Sequence, residues 1–130
     1  MVVKQMADKK LELYLKFRQE LDKVCVPDIL QMFDTKEITF EGETVGILCA
    51  SPDYIDCIYI LPEYRRKGLA KKAVLEHYLE HRAYDMRLHI IHKNRVAKRF
   101  WHSIFDLENV GGNELDGLYR IKGVKKSGKQ

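Results

Sequence analysis

One stretch of the 130-residue chain constrains its fold more than any other, and it runs from Tyr54 to Arg82. An apolar run rich in isoleucine and tyrosine, Asp56 to Leu61, predicts a strand. Pro62 ends it, because proline has no N–H to give to a ladder. Three cations follow, Arg65, Arg66 and Lys67, and then Gly68, Leu69 and Ala70 lead into a helical pattern that continues to Arg82. A strand, a basic glycine turn and a helix together hold an anion. The N–H groups of a helix's first turn have no partner inside the helix, and the helix dipole favours negative charge there. Gly68 lets a ligand approach the backbone closely, and the cations add charge-assisted hydrogen bonds. The next strand pattern, Met86 to His92, follows that helix, so the two strands should lie parallel.

Neither the spacing of a Walker loop nor Gly-x-Gly-x-x-Gly is present. The turn reads Arg65-x-x-Gly68-x-Ala70 after Pro62-Glu63-Tyr64. It resembles the acyl-CoA-binding signature of the GNAT N-acetyltransferase superfamily, Gln/Arg-x-x-Gly-x-Gly/Ala. The longer run from Ile58 and Ile60 through Pro-Glu-Tyr-Arg-Arg-Lys-Gly-Leu-Ala is more specific than the six-residue core. A surface turn whose cations are merely solvated is the plainer alternative. A second element stands at a fitting distance: Asn94-x-x-Ala97-x-x-Phe100-Trp101 is similar to the family's Asn-x-x-Ala-x-x-Phe/Leu-Tyr. The resemblance implies that Ile58, Ile60, Arg65, Arg66, Lys67, Gly68, Leu69, Ala70, Asn94 and Ala97 bind acetyl-CoA as co-substrate. It implies a GNAT-like acyl-CoA N-acyltransferase fold: a mixed, mostly antiparallel central sheet with helices on both faces. Two departures stand out. Trp101 occupies the position where the family commonly has the tyrosine that protonates the departing thiolate, and Ile104-Phe105-Asp106 replaces the family's Gly-Phe. Asn94 also suits a helix N-cap, and Trp101 also suits a core position.

The remaining composition bounds the class. A chain of 130 residues makes one domain with a real core. No apolar run approaches the roughly 18 residues that span a membrane, and the first residues lack the apolar centre of a signal peptide. Cys25, Cys49 and Cys57 are odd in number, form no Cys-x-x-Cys pair and sit in apolar settings. Buried thiols in the cytoplasm are the expectation, with no metal. Charge is segregated along the chain. Asp22 to Glu63 holds nine acids and two bases, whereas Tyr64 to Phe105 holds eleven bases and three acids. Such asymmetry suits surfaces for partners of opposite charge, although two dispersed solvated faces would give the same counts.

Taken in order, residues 1–6 read as a short strand and Ala7 to Val24 as a helix with Leu11, Tyr14, Leu15, Leu21 and Val24 on its stripe. A short helix begins at Val26-Pro27-Asp28. Glu37 to Phe40 and Thr44 to Ala50 read as strands joined at Glu41-Gly42. Asn94 to Phe105 predicts a helix, and Leu107 to Val110 and Leu118 to Ile121 predict closing strands. The expected domain is 1–121, with 122–130 a basic, disordered tail.

The resemblance implies acetyl transfer from acetyl-CoA to a primary amine, of a small molecule or a protein, by direct attack. The amine must be neutral to attack, so a base helps. Asp56, on the strand before the glycine turn, is the candidate base, and a backbone N–H near Ile60 would serve the thioester oxygen. Trp101 stands at the acid position but has no proton to release, so Tyr59, His92 and His102 are substitutes that the sequence does not rank. The acidic segment favours a cationic acceptor. A rival reading keeps the fold and drops the catalysis, giving an acyl-CoA-binding regulatory module with Trp101 as its clue. A nucleic-acid reading rests on Arg65, Arg66, Lys67, Lys71, Lys72, Arg95, Lys98 and Arg99, but no aromatic residues interleave with them, so nucleic acid is not the expected partner. Monomer and homodimer both stay open. His77-Tyr-Leu-Glu-His81 matches a zinc-peptidase pattern, yet its two histidines share the apolar arc of Ala73 and Val74 and lack a third ligand.

Overall fold

The structure, a computed structural model of the chain, describes residues 12, 13, 15, 16 and 34–125. The readings for residues 1–6, for the rest of the first helix, for the helix at Val26-Pro27-Asp28 and for 126–130 lie outside the described residues. Glu12, Leu13, Leu15 and Lys16 are helical, as expected. The stripe needs correcting, however. Leu13, left off it, is fully buried, whereas Leu15, placed on it, is 45% exposed. Several apolar residues within two turns define more than one arc, and the sheet selects which one is covered.

Six strands form one sheet among the described residues: β1 (Asp34–Phe40), β2 (Glu43–Ser51), β3 (Tyr54–Ile60), β4 (Arg87–Ile91), β5 (Phe105–Gly112) and β6 (Asp116–Val124). Their order is β1-β2-β3-β4-β6-β5. Helix α1 (Leu69–Glu80) joins β3 to β4, and α2 (Arg95–Ile104) joins β4 to β5. A short 3-10 turn, Pro62–Tyr64, precedes α1. No helix among the described residues is long and apolar enough to cross a membrane.

Local chemistry accounts for these elements. Glu41 and Gly42 both take positive φ, 52° and 83°, which matches the twist of a two-residue hairpin between β1 and β2. β3 begins two residues earlier than its apolar run, because Tyr54 already pairs with Ser51 across the preceding turn. β6 runs on through Lys122, Gly123 and Val124, residues that composition assigns to the tail. Gly123 and Val124 pair with Asp106 and Phe105, and ladder hydrogen bonds come from the backbone whatever the side chains are.

Both faces of the sheet are packed. On one face Leu48, Ala50, Ile55, Leu88 and Ile90 meet Val74 of α1 and Trp101 and Ile104 of α2, with Phe105 fully buried among them. A smaller cluster joins Leu13 to Ile47, Cys49, Cys57, Tyr59 and Leu61.

β3 carries an irregularity that its sequence hides. Cys49 pairs with Cys57 but Ala50 pairs with Ile55, so Asp56 is an extra residue in the strand. In a regular strand Ile55, Cys57 and Tyr59 would share one face. Here Ile55 packs into the larger cluster, while Cys57 and Tyr59 pack into the smaller one. This is a β-bulge at Asp56.

All neighbouring strands run antiparallel except β3 and β4, which are parallel as the α1 crossover requires. Their ladder comprises Tyr54↔Arg87 and Ile55↔Leu88 and stops there. Beyond it the two strands diverge toward their C-terminal ends, the ends that lead into α1 and α2.

Among the described glycines, the backbone is most closely approached at Gly46. A Cβ there would run into the Tyr59 carbonyl oxygen and sit 2.6 Å from the Ile60 Cδ1 atom. A Gly46→Ala variant should lose about 1–3 kcal/mol and melt several degrees lower, with an unchanged far-ultraviolet circular dichroism spectrum. An unaltered melting temperature would show that this close approach does not hold the β2–β3 register.

Candidate active site

Two loops meet the open end of the β3–β4 pair: the turn from Pro62 to Gly68, and the segment that ends at Asn94. In the first, Gly68 is the N-cap of α1 and sits in the left-handed region at φ 77°. A Cβ at Gly68 would meet nothing within 4 Å, so it is the backbone conformation that requires glycine here. Arg66 is also left-handed, at φ 66°, which a residue with a Cβ adopts only at some strain. No side chain caps α1 and no acid lies in its first turn. The first helical hydrogen bond runs from the Lys72 N–H to the Gly68 carbonyl, at 3.0 Å. The N–H groups of Leu69, Ala70 and Lys71 therefore have no partner within the helix and are available to an anion.

The three cations of the turn do different things. The Arg65 Nε donates to the Ile60 carbonyl at 2.7 Å, and its guanidinium lies 5.3 Å from the Tyr59 ring centroid. Arg65 thus clasps the turn onto the end of β3. The Lys67 ammonium lies 5.5 Å from the Phe40 ring centroid. Arg66 extends into solvent. At the second loop the Asn94 side chain accepts the Ala97 N–H at 3.0 Å, so Asn94 caps α2. Ile58 is half-buried against the larger core, and Ile60 is buried.

Asp56 stands at the bulge, where β3 leaves β4. Burial pushes its carboxyl up from 3.8 to about 6. That value leaves it ionised at neutral pH and still basic enough to take a proton.

A neighbouring group has no counterpart in the sequence reading. The Tyr54 hydroxyl is hydrogen-bonded to His89 Nδ1, and the two rings stand edge to face at 5.6 Å. His89 Nε2 lies 3.9 Å from Asp116 Oδ1. Burial, then the negative charges of Asp56 and Asp116, push the Tyr54 phenol above its ordinary range. Tyr54 therefore keeps its proton and donates it to Nδ1 of His89. Tyr54, His89 and Asp116 come from β3, β4 and β6, and only strand pairing brings them together. The available sequence signal was Tyr54, two residues before Asp56 on a strand that splits from its neighbour.

The other candidate residues lie elsewhere. Trp101 is 6% exposed and sits in the core, stacked on Phe105 at 6.3 Å with Phe100 edge-on at 4.9 Å. Tyr59 is buried near the Arg65 guanidinium. His92 Nε2 donates to the Asn113 carbonyl at 3.0 Å, and His102 is exposed beside Tyr119. The zinc-like histidines face carbonyls: His77 Nε2 donates to Ser51 at 2.7 Å and His81 Nδ1 to His77 at 2.9 Å. No group of three or more His, Cys, Asp and Glu side chains that could hold a metal occurs among the described residues.

Known proteins give this geometry a family. A sequence model of the Acetyltransferase (GNAT) family matches residues 11–106, and the chain belongs to that family. No curated protein matches it by sequence. Solved structures share the fold. Naa50 of Arabidopsis thaliana, in complex with the bisubstrate analogue CoA-Ac-MVNAL, is 20% identical over 89% of this chain and 93% of that one, with a TM-score of 0.60. A GNAT-family acetyltransferase of Listeria monocytogenes is 15% identical over 89% of this chain and 86% of that one, with a TM-score of 0.61. PaiA N-acetyltransferase of Thermoplasma acidophilum, in complex with coenzyme A, is 18% identical over 69% of this chain, with a TM-score of 0.57. This chain spans 60% of the Thermoplasma protein's length. The mixed six-stranded sheet with α1 and α2 is thus a GNAT acyl-CoA N-acyltransferase fold.

Burial of Asp56 has a consequence for stability. Its folded pKa of about 6 exceeds its ordinary 3.8, so between those values the folded chain binds more protons than the unfolded one. Stability therefore falls as pH rises through this window, and the loss is complete above about pH 6. Asp56→Asn should stabilise the protein at pH 8 by about 1–2 kcal/mol, a figure discounted for the carboxylate's contact with solvent. Near pH 4 the advantage should vanish. Melting curves of both proteins at the two pH values decide this, and an equal difference at both would mean Asp56 is not desolvated.

Proposed function

We propose that the chain is an acetyl-CoA-dependent N-acetyltransferase acting on a primary amine by direct attack. One observation carries the reading. The β3–β4 ladder ends after two pairs, and the opening lies between the left-handed Gly68 turn and a carboxyl with a pKa near 6. Acetyl-CoA, as co-substrate, brings a thioester carbon and a phosphorylated tail. The N–H groups of Leu69, Ala70 and Lys71 would bind the phosphates, with Arg66 and Lys67 adding charge. Arg65 serves by holding the turn in shape through the Ile60 carbonyl. The CoA ligands in the Naa50 and Thermoplasma PaiA structures support this assignment.

Asp56 takes the proton that an ammonium must lose before its nitrogen can attack. The neutral nitrogen then bonds to the thioester carbon, the C–S bond breaks, the sulfur departs with the electron pair, and the extra proton on the nitrogen passes to the departing thiolate. A thiol is acidic enough to leave as thiolate, so no side-chain acid is required; Tyr54, its hydroxyl engaged by His89, is held protonated beside Asp56. Trp101 takes no proton-transfer role in this scheme and packs the inner end of α2. A cationic amine suits the site, since Asp56 and Asp116 put negative charge around Tyr54.

The core position of Trp101 favours a second reading, in which the chain binds acyl-CoA as a regulatory module without turnover. Binding and turnover separate the two. Acetyl-CoA should raise the melting temperature, and dephospho-CoA less so, because a ligand of the folded state stabilises it by mass action. Absence of any shift at saturation would remove both readings. With an amine acceptor, thiol release should rise through about pH 6 as Asp56 ionises. Asp56→Asn should lower kcat roughly 10²–10⁴-fold and abolish that limb of the profile. Acetyl-CoA binding without thiol release across a panel of amines would leave the regulatory reading standing.

A further inference from the structure

The loop between β5 and β6, residues 113–115, stands at the C-terminal end of β4. Asn113, Glu114 and Leu115 are all exposed, Leu115 to 69%, so apolar packing does not hold the loop in place. Within the hairpin the Asn113 side chain accepts the Leu115 N–H at 2.7 Å and the Asp116 N–H at 3.1 Å. The Asn113 N–H donates to the Asp116 carbonyl at 2.8 Å. A Cβ at Gly112 would lie 2.5 Å from the same carbonyl oxygen, so the chain nearly touches itself at the base of the loop. The loop is therefore a tightly wound unit whose direction must be set from outside.

Among the described residues, the hydrogen bonds that reach this loop from outside the hairpin come from His92, the residue after β4. Its backbone N–H donates to the Leu115 carbonyl at 2.9 Å, and its Nε2 donates to the Asn113 carbonyl at 3.0 Å. The backbone bond continues the β4–β6 pairing, and any residue but proline would make it. The ring bond belongs to the histidine. A carbonyl only accepts, so Nε2 carries a proton, and it does so in the neutral tautomer and in the charged ring alike. Two residues further on, Asn94 caps α2. In the other direction the loop leads directly into Asp116, whose Oδ1 lies 3.9 Å from His89 Nε2, and His89 Nδ1 is hydrogen-bonded to the Tyr54 hydroxyl.

We propose that His92 is a positioning residue for the acceptor amine: its ring holds the β5–β6 loop so that the Asp116 carboxylate stays beside the Tyr54–His89 pair. The role rests on the acetyltransferase reading, in which a cationic amine approaches Asp56 and Asp116. His92 touches no reacting atom in this scheme and gives up no proton. It acts through the loop, as a supporting hydrogen bond that keeps a charged side chain in place. Loss of that bond lets the carboxylate drift, and a misplaced charge binds a cation less well. The Gly68 turn and the first N–H groups of α1 belong to the β3 side of the opening, so the binding of acetyl-CoA is not tied to the loop in this way.

Two variants of the full chain test this. His92→Phe keeps a ring and loses the donor, whereas His92→Gln keeps an amide N–H at similar reach and has no acid to offer. Without ligands, His92→Phe should make the Leu115 and Asp116 amides exchange with solvent about tenfold faster and should move the His89 side-chain resonances. His92→Gln should restore both. With acetyl-CoA and n-butylamine, His92→Phe should raise the KM of the amine about tenfold, with kcat and the Kd of acetyl-CoA within about threefold of the parent. His92→Gln should return that KM to the parent value. Melting curves of both variants check that they are folded. The proposal is overturned if His92→Phe leaves the exchange, the His89 resonances or the amine KM unchanged. It is also overturned if His92→Gln behaves like His92→Phe, or if the Kd of acetyl-CoA rises in parallel with the amine KM. A parent protein that releases no thiol would count against the acetyltransferase reading instead, and the exchange and resonance measurements would still decide whether the ring of His92 holds the loop.

Discussion

The molecule is organised by a parallel strand pair that is left unfinished. β3 and β4 must run parallel because α1 connects them, and parallel pairing fixes both following loops at one end of the sheet. Had the ladder continued to Ile60 and Ile91, that end would be closed by hydrogen bonds. It stops at Ile55↔Leu88 instead, so β3 and β4 part between two helix N-termini. The helix ends are not equivalent. α2 is capped by its own Asn94, whereas α1 begins at a left-handed glycine with no side chain on its first N–H groups. The fold thus satisfies one terminus internally and leaves the first N–H groups of the other without a side-chain cap.

Holding a carboxyl at the parting point works against stability, and the bulge shows how the chain accommodates it. Asp56 is the extra residue between Cys57 and Ile55, so the strand's apolar alternation can continue on either side of it. Ile55 reaches the larger core and Cys57 the smaller one, and neither face has to bury a charge in its centre. The raised pKa of Asp56 and the raised pKa of Tyr54 then have a shared origin. Both groups are desolvated at the same place, and each negative charge there makes the next ionisation harder. One group ends as a carboxylate able to accept a proton near neutral pH, and the other as a phenol that keeps its own.

Local patterns in the sequence specified the local structure well. The Pro62–Gly68 turn, the helix after it, the Glu41-Gly42 hairpin and the parallel crossover were all legible, because proline, glycine and apolar periodicity act over a few residues. What escaped depends on neighbours far along the chain. The bulge exists only relative to β2, and neither Asp56 nor its flanking residues announce it. Tyr54, His89 and Asp116 are separated by long stretches and meet through the order β3-β4-β6. Leu13 was passed over for Leu15 because periodicity alone does not say which arc the sheet covers. Lys122 to Val124 look like tail and act as strand, since their contribution is made through the backbone.

Arg65 shows that a cation in a glycine turn has a structural task of its own. A run of three cations before a glycine suggests three charges for one anion. Yet the Arg65 Nε is committed to the Ile60 carbonyl, and its guanidinium lies over Tyr59. The arginine therefore joins the last residue of β3, the smaller core and the turn in one clasp. Its planar fork can make that bond while stacking on a ring, which a lysine ammonium does not reproduce. The Ile60 carbonyl is the last acceptor of the strand before Leu61 and Pro62, where the ladder must end. A charged donor there orients the exit of β3, and with it the left-handed pair Arg66 and Gly68 that exposes the N–H groups of α1. In this turn the unpaired N–H groups belong to the backbone, and the side chain nearest the strand is spent on giving that backbone its shape.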